Sequence, residues 1–300
     1  MHCSKIISMN EFLKKRLDCN HSLGLHLRLE STLSHLVATA QAYGISTFQF
    51  FLVVEGDRKH IAPSQQEIDA FVRARRNLFG PLYVHSSYWV NPASSNKATF
   101  LLSRALLKKE LALAQALEVN FLVLHAGSAK GYRPTANDPT GKQRALRTLA
   151  RMLNNLMKYT GEVTILLENT AHGKKTIGSD LEDFVLLKSY LNFPEKIGFC
   201  LDTAHAFSYG YSLEPVDDFL AIVDRTMGLN ALKLIHFNDT NDVQGARLDQ
   251  HAFPGQGNIG KSTLQGILHH STLASVPKII EGSSTNQTIS NALFNEICAW

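Results

Sequence analysis

Short apolar segments alternate along the chain with segments whose apolar residues are spaced as in helices. The apolar segments are rich in β-branched and aromatic residues, which is typical of buried strands. Eight of them read as strands, at residues 23–30, 46–54, 81–87, 120–127, 163–170, 196–205, 231–239 and 277–283. Helical spacing is found at residues 31–44, 65–78, 98–118, 141–161, 179–191, 261–270 and 288–300.

This alternation predicts a parallel sheet whose outer face is covered by helices. Eight units in 300 residues favour a closed (β/α)8 TIM barrel of the α/β class over an open, doubly wound sheet. No glycine-rich phosphate loop follows the first strand, which argues against a dinucleotide-binding fold. We therefore expect a single barrel domain over residues 21–300, preceded by a short N-terminal arm over residues 1–20.

Composition and charge narrow the possible functions only slightly. The net charge of +4 permits a polyanionic partner without demonstrating one, whereas the 13 histidines are a first hint of metal binding. The four cysteines form no C-x-x-C pair, which favours a reducing, cytoplasmic setting. The N-terminus lacks the apolar core of a secretory signal, and no apolar run reaches the roughly 18 residues that suggest a membrane span. We expect a protein that is neither secreted nor membrane-bound.

Ionisable side chains concentrate where the predicted strands end and in the loop after the seventh strand. In a TIM barrel these ends meet on one face, where active sites form. One histidine at such a position is more often a core or rim residue, but nine grouped ionisable side chains are costly to bury without cations. Imidazoles and carboxylates without thiolates suit Zn²⁺ or Mn²⁺, and nine exceed what one ion needs. They are His85, His125, Glu168, Asp202, His205, His236, Asp249, His251 and Glu281.

An ordered set of motifs gives a family resemblance that runs from about residue 23 to the C-terminus. The chain resembles the endonuclease IV family of apurinic/apyrimidinic endonucleases. Any one of the motifs is a weak signal, whereas the ordered set is specific. The motifs are HSSY at 85–88, LHAGS at 124–128, LENT at 167–170, GFCLDTAHAFSYGY at 198–211, HFND at 236–239, and DQH with GQGNIG within 249–260.

The resemblance implies a barrel that holds three zinc ions, with Mn²⁺ possible at some positions. Glu168 would bridge two of the ions and is the residue to which a catalytic role is assigned. The implied ligands are His85, His125 and Glu168 for the first ion, Glu168, Asp202, His236 and Glu281 for the second, and His205, Asp249 and His251 for the third.

The resemblance also implies the reaction and the partner. The expected activity is DNA repair by hydrolysis of the phosphodiester 5′ to an abasic site in double-stranded DNA, leaving a 3′-hydroxyl and a 5′-deoxyribose phosphate. An enzyme that acts on a nucleotide without its base needs a wedge in the duplex. Tyr88 and Trp89 are candidates for this wedge, although both could simply pack under a neighbouring loop. Arg58 and Lys174 are candidate phosphate contacts, and a monomer is expected.

Two alternatives remain open at this stage. Sugar isomerases and epimerases share this barrel and hold a divalent ion at strand ends, but they do not need the third group, His205, Asp249 and His251. A non-catalytic DNA-binding relative is the other alternative, and the complete ligand set argues against it. One departure from the family is Gln250, which stands where an arginine is usual and removes a possible phosphate contact.

Overall fold

The computed structural model describes residues 22–30, 32–53, 60–173, 175–282 and 288–300. Eight parallel strands close into a barrel in the order β1, β10, β7, β6, β5, β4, β3, β2, which confirms the predicted fold class. A separate antiparallel hairpin is formed by β8 and β9. The strands are β1 (Leu23–Leu27), β2 (Phe48–Phe51), β3 (Leu82–His85), β4 (Phe121–His125), β5 (Thr164–Glu168), β6 (Ile197–Asp202), β7 (Leu232–His236), β8 (Asp239–Thr240), β9 (His251–Ala252) and β10 (Lys278–Ile280).

Helices follow most of the barrel strands, and five of them begin where a side chain accepts a hydrogen bond from a free main-chain N–H group. The helix after β2 starts with a capping box, in which Ser64 and Glu67 each bond the other's main chain. The helices are α1 (Leu33–Tyr43), α2 (Gln65–Leu78), α3 (Lys97–Ala116), α4 (Lys142–Leu156), α5 (Glu182–Lys188), α6 (Thr203–Tyr209), α7 (Val216–Thr226), α8 (Lys261–His269) and α9 (Asn291–Cys298). In the part of the chain that the structure describes, no helix is both long and apolar enough to cross a membrane.

Alternate residues of each strand face opposite sides of the sheet, so the barrel strands contribute to two apolar cores. The larger core lies between strands and helices and includes Leu122 and Leu124 of β4. The smaller one fills the inside of the barrel below its mouth. Its members are Tyr83, Val123, Leu166, Cys200, Leu234 and Ile279, which are all fully buried.

The structure differs from the sequence prediction mainly after β6 and β7. Two helices, α6 and α7, follow β6, where the sequence pattern indicated none. The segment after β7, predicted as an irregular loop, contains the hairpin of β8 and β9. The strands are shorter than the apolar runs, because the ends of those runs leave the ladder to form the mouth of the barrel. The predicted arm at residues 1–20 lies outside the described residues.

Candidate metal centre

The pleat of the barrel strands places the predicted ligands above the inner apolar core. Six of them lie two residues beyond a member of that core, and residues two apart on a strand face the same side. Each of these six strands therefore contributes one residue to the inner apolar core and an ionisable residue to the layer above it. The pairs are Tyr83 and His85, Val123 and His125, Leu166 and Glu168, Cys200 and Asp202, Leu234 and His236, and Ile279 and Glu281.

Glu168 lies at the centre of this layer and is 1% exposed. Its Oε2 atom is 3.0 Å from His85 Nε2 and 2.9 Å from His125 Nε2. Its Oε1 atom faces the other way and is 2.9 Å from His236 Nδ1. The two oxygens of one carboxylate thus belong to two different groups of donors, which is the geometry that a bridging ligand requires.

The second group surrounds His236, which is fully buried at the end of β7. Its Nδ1 atom is 3.2 Å from Glu281 Oε2 and 3.8 Å from Asp202 Oδ2, besides the contact with Glu168. These four side chains offer one nitrogen and three carboxylate oxygens within 4.8 Å of one another.

The third group forms where helix α6 meets the hairpin. Asp202 ends β6 and caps α6 by accepting a hydrogen bond from the His205 N–H group at 2.7 Å, so one turn of helix separates the two side chains. The hairpin carries His251 to the same place, with its Nε2 atom 3.3 Å from His205 Nε2. Asp249 Oδ1 is 3.2 Å from both imidazoles. Asp202, His205 and His251 also form a compact set of donors.

Main-chain carbonyls and side-chain amides orient the donors. The Nδ1 atom of His205 is 2.9 Å from the Asn169 carbonyl, which leaves Nε2 facing the third group. Asn238 donates to Asp202 Oδ2 at 2.7 Å and to Glu281 Oε2 at 3.1 Å. Such outer contacts fix the orientation of metal ligands.

Gln49 of β2 is a further orienting residue that the sequence analysis missed. It is fully buried and contacts His236, Glu281 and His26 at 3.0, 2.8 and 2.8 Å. A glutamine within an otherwise aromatic strand, FQFF, is a signal that could have revealed it. His26, whose pKa is lowered by burial, lies beside this amide and outside the three groups.

The electrostatics of the cluster favour positive charge. Burial opposes the ionisation of Glu168, but the imidazoles of His236 and His125 outweigh burial and hold its pKa well below the usual range. Burial likewise disfavours charge on His251, yet Asp202 and Asp249 raise its pKa to about 9. Glu168 therefore keeps its negative charge while the His251 imidazole attracts a proton, and a cation that binds there competes with that proton.

The donor set fits divalent cations. Bonds from zinc to imidazole nitrogen and carboxylate oxygen are about 2.0–2.2 Å long, so ligand atoms lie no more than about 4.4 Å apart across an ion. The three groups approach this spacing, share Glu168 and Asp202, and contain no thiolate, as expected for sites of imidazole and carboxylate ligands. All nine side chains predicted from the sequence lie in this cluster.

A cavity of about 410 Å³ opens above the cluster at the mouth of the barrel. It is lined by donors from each group and by residues of the loop after β3. Tyr88 and Trp89 in that loop are 86% and 42% exposed, so both present side-chain surface to solvent at the mouth. The two cationic candidates, Arg58 and Lys174, lie outside the described residues.

The chain is similar to known proteins over most of its length. A family model of xylose isomerase-like TIM barrels matches residues 37–300. A probable endonuclease 4 from Heliobacterium modesticaldum is 30% identical over 264 residues, which cover 86% of this chain and 92% of that protein. One from Thermosipho melanesiensis is 28% identical over 275 residues, or 90% and 94% of the two chains.

Solved structures also resemble this chain over most of its length. Endonuclease IV from Thermus thermophilus matches with a TM-score of 0.78 at 27% identity, over 92% of this chain and 97% of that one. A D-tagatose 3-epimerase-like protein matches with a TM-score of 0.67 at 16% identity, over 92% and 95%, which is a likeness of fold alone.

The fold and the cluster at its mouth define a xylose isomerase-like TIM barrel with a candidate metal centre. Within that class, the chain belongs to the endonuclease IV family. The predicted family and the predicted type of enzyme, a deoxyribonuclease IV-type enzyme, are thereby confirmed.

Proposed function

We propose that this protein is a zinc-dependent endonuclease that hydrolyses the phosphodiester 5′ to an abasic site in duplex DNA. The products would be a 3′-hydroxyl and a 5′-deoxyribose phosphate. The single observation that carries the proposal is the position of Glu168, whose two oxygens face two different donor groups. The family membership supports an endonuclease, and the cavity above the cluster is where the scissile phosphate would lie.

Three ions fit the donors, one for each group. We assign His85, His125 and Glu168 to the first, Glu168, Asp202, His236 and Glu281 to the second, and His205, Asp249 and His251 to the third. Zinc suits these ligands, and Mn²⁺ is the alternative at the carboxylate-rich second group. Ions bound there supply an activated water near neutral pH and neutralise charge on the phosphate.

The protein's own residues hold and orient this assembly. Glu168 bridges the first two groups, and its burial keeps competing water away from both oxygens. The amides of Gln49 and Asn238 keep the Glu281 carboxylate in place. The exposed aromatic side chains of Tyr88 and Trp89 would enter the duplex at the lesion, where no base fills the stack. The proposed enzyme acts as a monomer in the cytoplasm, where it meets genomic DNA.

Cleavage of a duplex oligonucleotide with one abasic site tests the proposal. We expect a cut 5′ to the lesion, a 3′-hydroxyl that a polymerase extends, loss of activity with a zinc chelator and recovery with added zinc. Glu168→Gln keeps the shape but removes the bridging charge, and we expect at least about a 10³-fold loss of kcat. Absence of any cut by folded, zinc-replete protein would contradict the proposal and redirect attention to sugar substrates.

A sugar isomerase or epimerase remains the contrasting function. Such enzymes need one divalent ion, whereas this chain brings His205, Asp249 and His251 within 3.3 Å of one another at a separate position. Zinc analysis distinguishes the two functions, because the endonuclease requires three ions per chain. A content of one ion per chain in metal-saturated protein would favour the sugar enzyme.

A further inference from the structure

We propose that Glu110, together with His60, is a positioning residue that fixes the turn carrying Tyr88 and Trp89 for insertion into an abasic duplex. The inference rests on the proposed function. It assigns a part in substrate recognition to a buried carboxylate that belongs to none of the three donor groups.

The two aromatic residues occupy the tip of a tight turn. The Val90 N–H group donates to the Ser87 carbonyl at 3.0 Å, so Tyr88 and Trp89 stand at the two central positions. Val90 is buried and fixes the far end of the turn in the core. The near end, Ser87, is buried as well, so two exposed aromatic side chains project from a turn with two buried ends.

Glu110 holds the near end from below. It lies on α3, is 1% exposed, and its Oε1 atom accepts hydrogen bonds from the Ser87 N–H group at 3.0 Å and the Ser87 hydroxyl at 2.5 Å. The same oxygen is 2.9 Å from His60 Nε2. Among the described residues, its Oε2 atom is buried without a hydrogen bond. Burying a carboxylate with one oxygen unpaired costs folding free energy. Such a cost is typical of functional positions, and here it falls at the base of one exposed turn.

His60 connects the turn to the neighbouring loop at the mouth. It pairs with Val53 across the base of the loop after β2, where the Ile61 N–H group donates to the Leu52 carbonyl at 2.9 Å. The ring of His60 also lies 3.4 Å from the Ser87 hydroxyl. One carboxylate thus joins the bases of two consecutive mouth loops.

The physical consequence is preorganisation. Aromatic side chains on a fixed turn lose little conformational entropy when they enter the base stack. More of the free energy of their contacts is therefore available to stabilise the transition state. A purely structural carboxylate would affect stability and leave the preference for duplex substrates unchanged. The two possibilities therefore differ in a measurable ratio of activities.

The test compares an abasic site in a duplex with the same site in a single strand, where no stack needs opening. For the zinc-loaded Glu110→Leu variant, we expect kcat/KM on the duplex to fall about 10–100-fold, as for a misplaced contact group. Zinc content and single-strand cleavage should stay at the wild-type values. Leu111→Ala is the matched control, because Leu111 is the buried neighbour on α3 and its loss creates a cavity without touching Ser87.

Two further variants make the test specific. Glu110→Gln retains an oxygen that can accept from Ser87, so we expect it to recover most of the duplex activity. In a Tyr88→Ala/Trp89→Ala background, Glu110→Leu should cause no additional loss, since the groups it positions are absent. If Glu110→Leu does not fold, Ser87→Ala removes one of the hydrogen bonds and permits the same comparison.

The outcomes separate the inference from the proposed function. If the wild-type protein cuts no abasic DNA, the proposed function fails and the inference fails with it. If the wild type cuts the duplex and Glu110→Leu loses duplex and single-strand cleavage equally, loses zinc, or loses nothing, the endonuclease stands and the positioning role is overturned.

Discussion

The amide of Gln49 fixes the proton positions of its neighbours. A carboxylate only accepts hydrogen bonds, so the Gln49 NH₂ group must face Glu281, and its carbonyl oxygen then faces His236 Nε2. His236 Nε2 must therefore carry a proton, and Nδ1, which faces Glu168, is the nitrogen at which a metal ion would replace a proton. The second proton of the amide goes to His26 Nδ1. One neutral residue thus gives His236 the tautomer that a metal ligand needs.

The first prediction follows at the scale of this residue. Gln49→Leu keeps the volume but removes the acceptor for His236, so we expect about 10–100-fold weaker binding at the second metal group. Zinc analysis after titration with a chelator measures the change. Gln41→Leu, at a buried position on α1, is the control and should retain all its zinc. Equal retention by both variants would show that the amide does not orient a ligand.

The second prediction concerns the pH dependence of stability through Lys278. This residue of β10 is 1% exposed, donates to the Leu273 carbonyl at 2.5 Å, and has its pKa lowered by burial from 10.5 to about 8. Between these two values the unfolded chain binds more protons than the folded one, so stability rises with pH over that window. The contribution is on the order of 3 kcal/mol, at about 1.36 kcal/mol per pKa unit.

Urea denaturation at pH 7.5 and pH 9.5 checks this sign. Lys278→Met removes the buried amine, and we expect the variant to gain less stability than the wild type when the pH is raised. The comparison uses the difference between the two proteins, so titration of other groups cancels. An identical pH response would mean that Lys278 stays protonated over this range.

At the scale of elements, one buried carboxylate anchors the loop that follows the hairpin. Asp239 of β8 accepts hydrogen bonds from the N–H groups of Thr240, Ile259, Gly255 and Gly257 at 2.8, 2.9, 3.1 and 3.0 Å. The motif GQGNIG is thus a main-chain cradle around a carboxylate. Because β8 pairs with β9, the same anchor fixes the position of His251.

The third prediction tests this cradle through Gly257. A Cβ atom there would lie 2.5 Å from Asp239 Oδ1 and still closer to the Thr240 carbonyl oxygen. We expect Gly257→Ala to lower the free energy of unfolding by about 1–3 kcal/mol through overpacking. We also expect it to weaken metal binding at the third group of donors. Thermal melts and zinc content measure the two effects. Gly80→Ala is the control, since a Cβ atom there meets only Ser46 O at 3.6 Å.

The barrel and most of the site could be predicted from the sequence because both follow from strand periodicity. An apolar residue followed two positions later by an ionisable one, as in Leu166 and Glu168, predicts both where the strand ends and which side chain faces the metal centre. The hairpin could not be predicted, since two-residue strands carry no periodic signal. Gln49 and Glu110 were missed because the role of a buried polar residue depends on the residues that it contacts in space. The partner of Gln49, His236, lies 187 residues away along the chain, and the partner of Glu110, Ser87, lies 23 residues away.

At the scale of the whole molecule, the arrangement of charge governs encounter with DNA. The net charge of +4 is small, so affinity for the phosphate backbone depends on which cations face the mouth. Gln250 lies between Asp249 and His251, with its side chain exposed and its carbonyl held by Thr240 Oγ1 at 2.8 Å. An arginine here would stand on a fixed main chain beside the cavity, where the family usually has one.

The fourth prediction is that Gln250→Arg tightens DNA binding in a salt-dependent way. One additional phosphate contact should make the slope of log K against log salt steeper by about 0.9, with the largest gain in affinity at low salt. Titration of an abasic duplex at several salt concentrations measures the slope. Asn77→Arg adds the same charge at the exposed C-terminal end of α2, on the opposite face of the barrel, and should leave the slope unchanged. Equal effects of both variants would mean that total charge, and not the mouth of the barrel, controls binding to DNA.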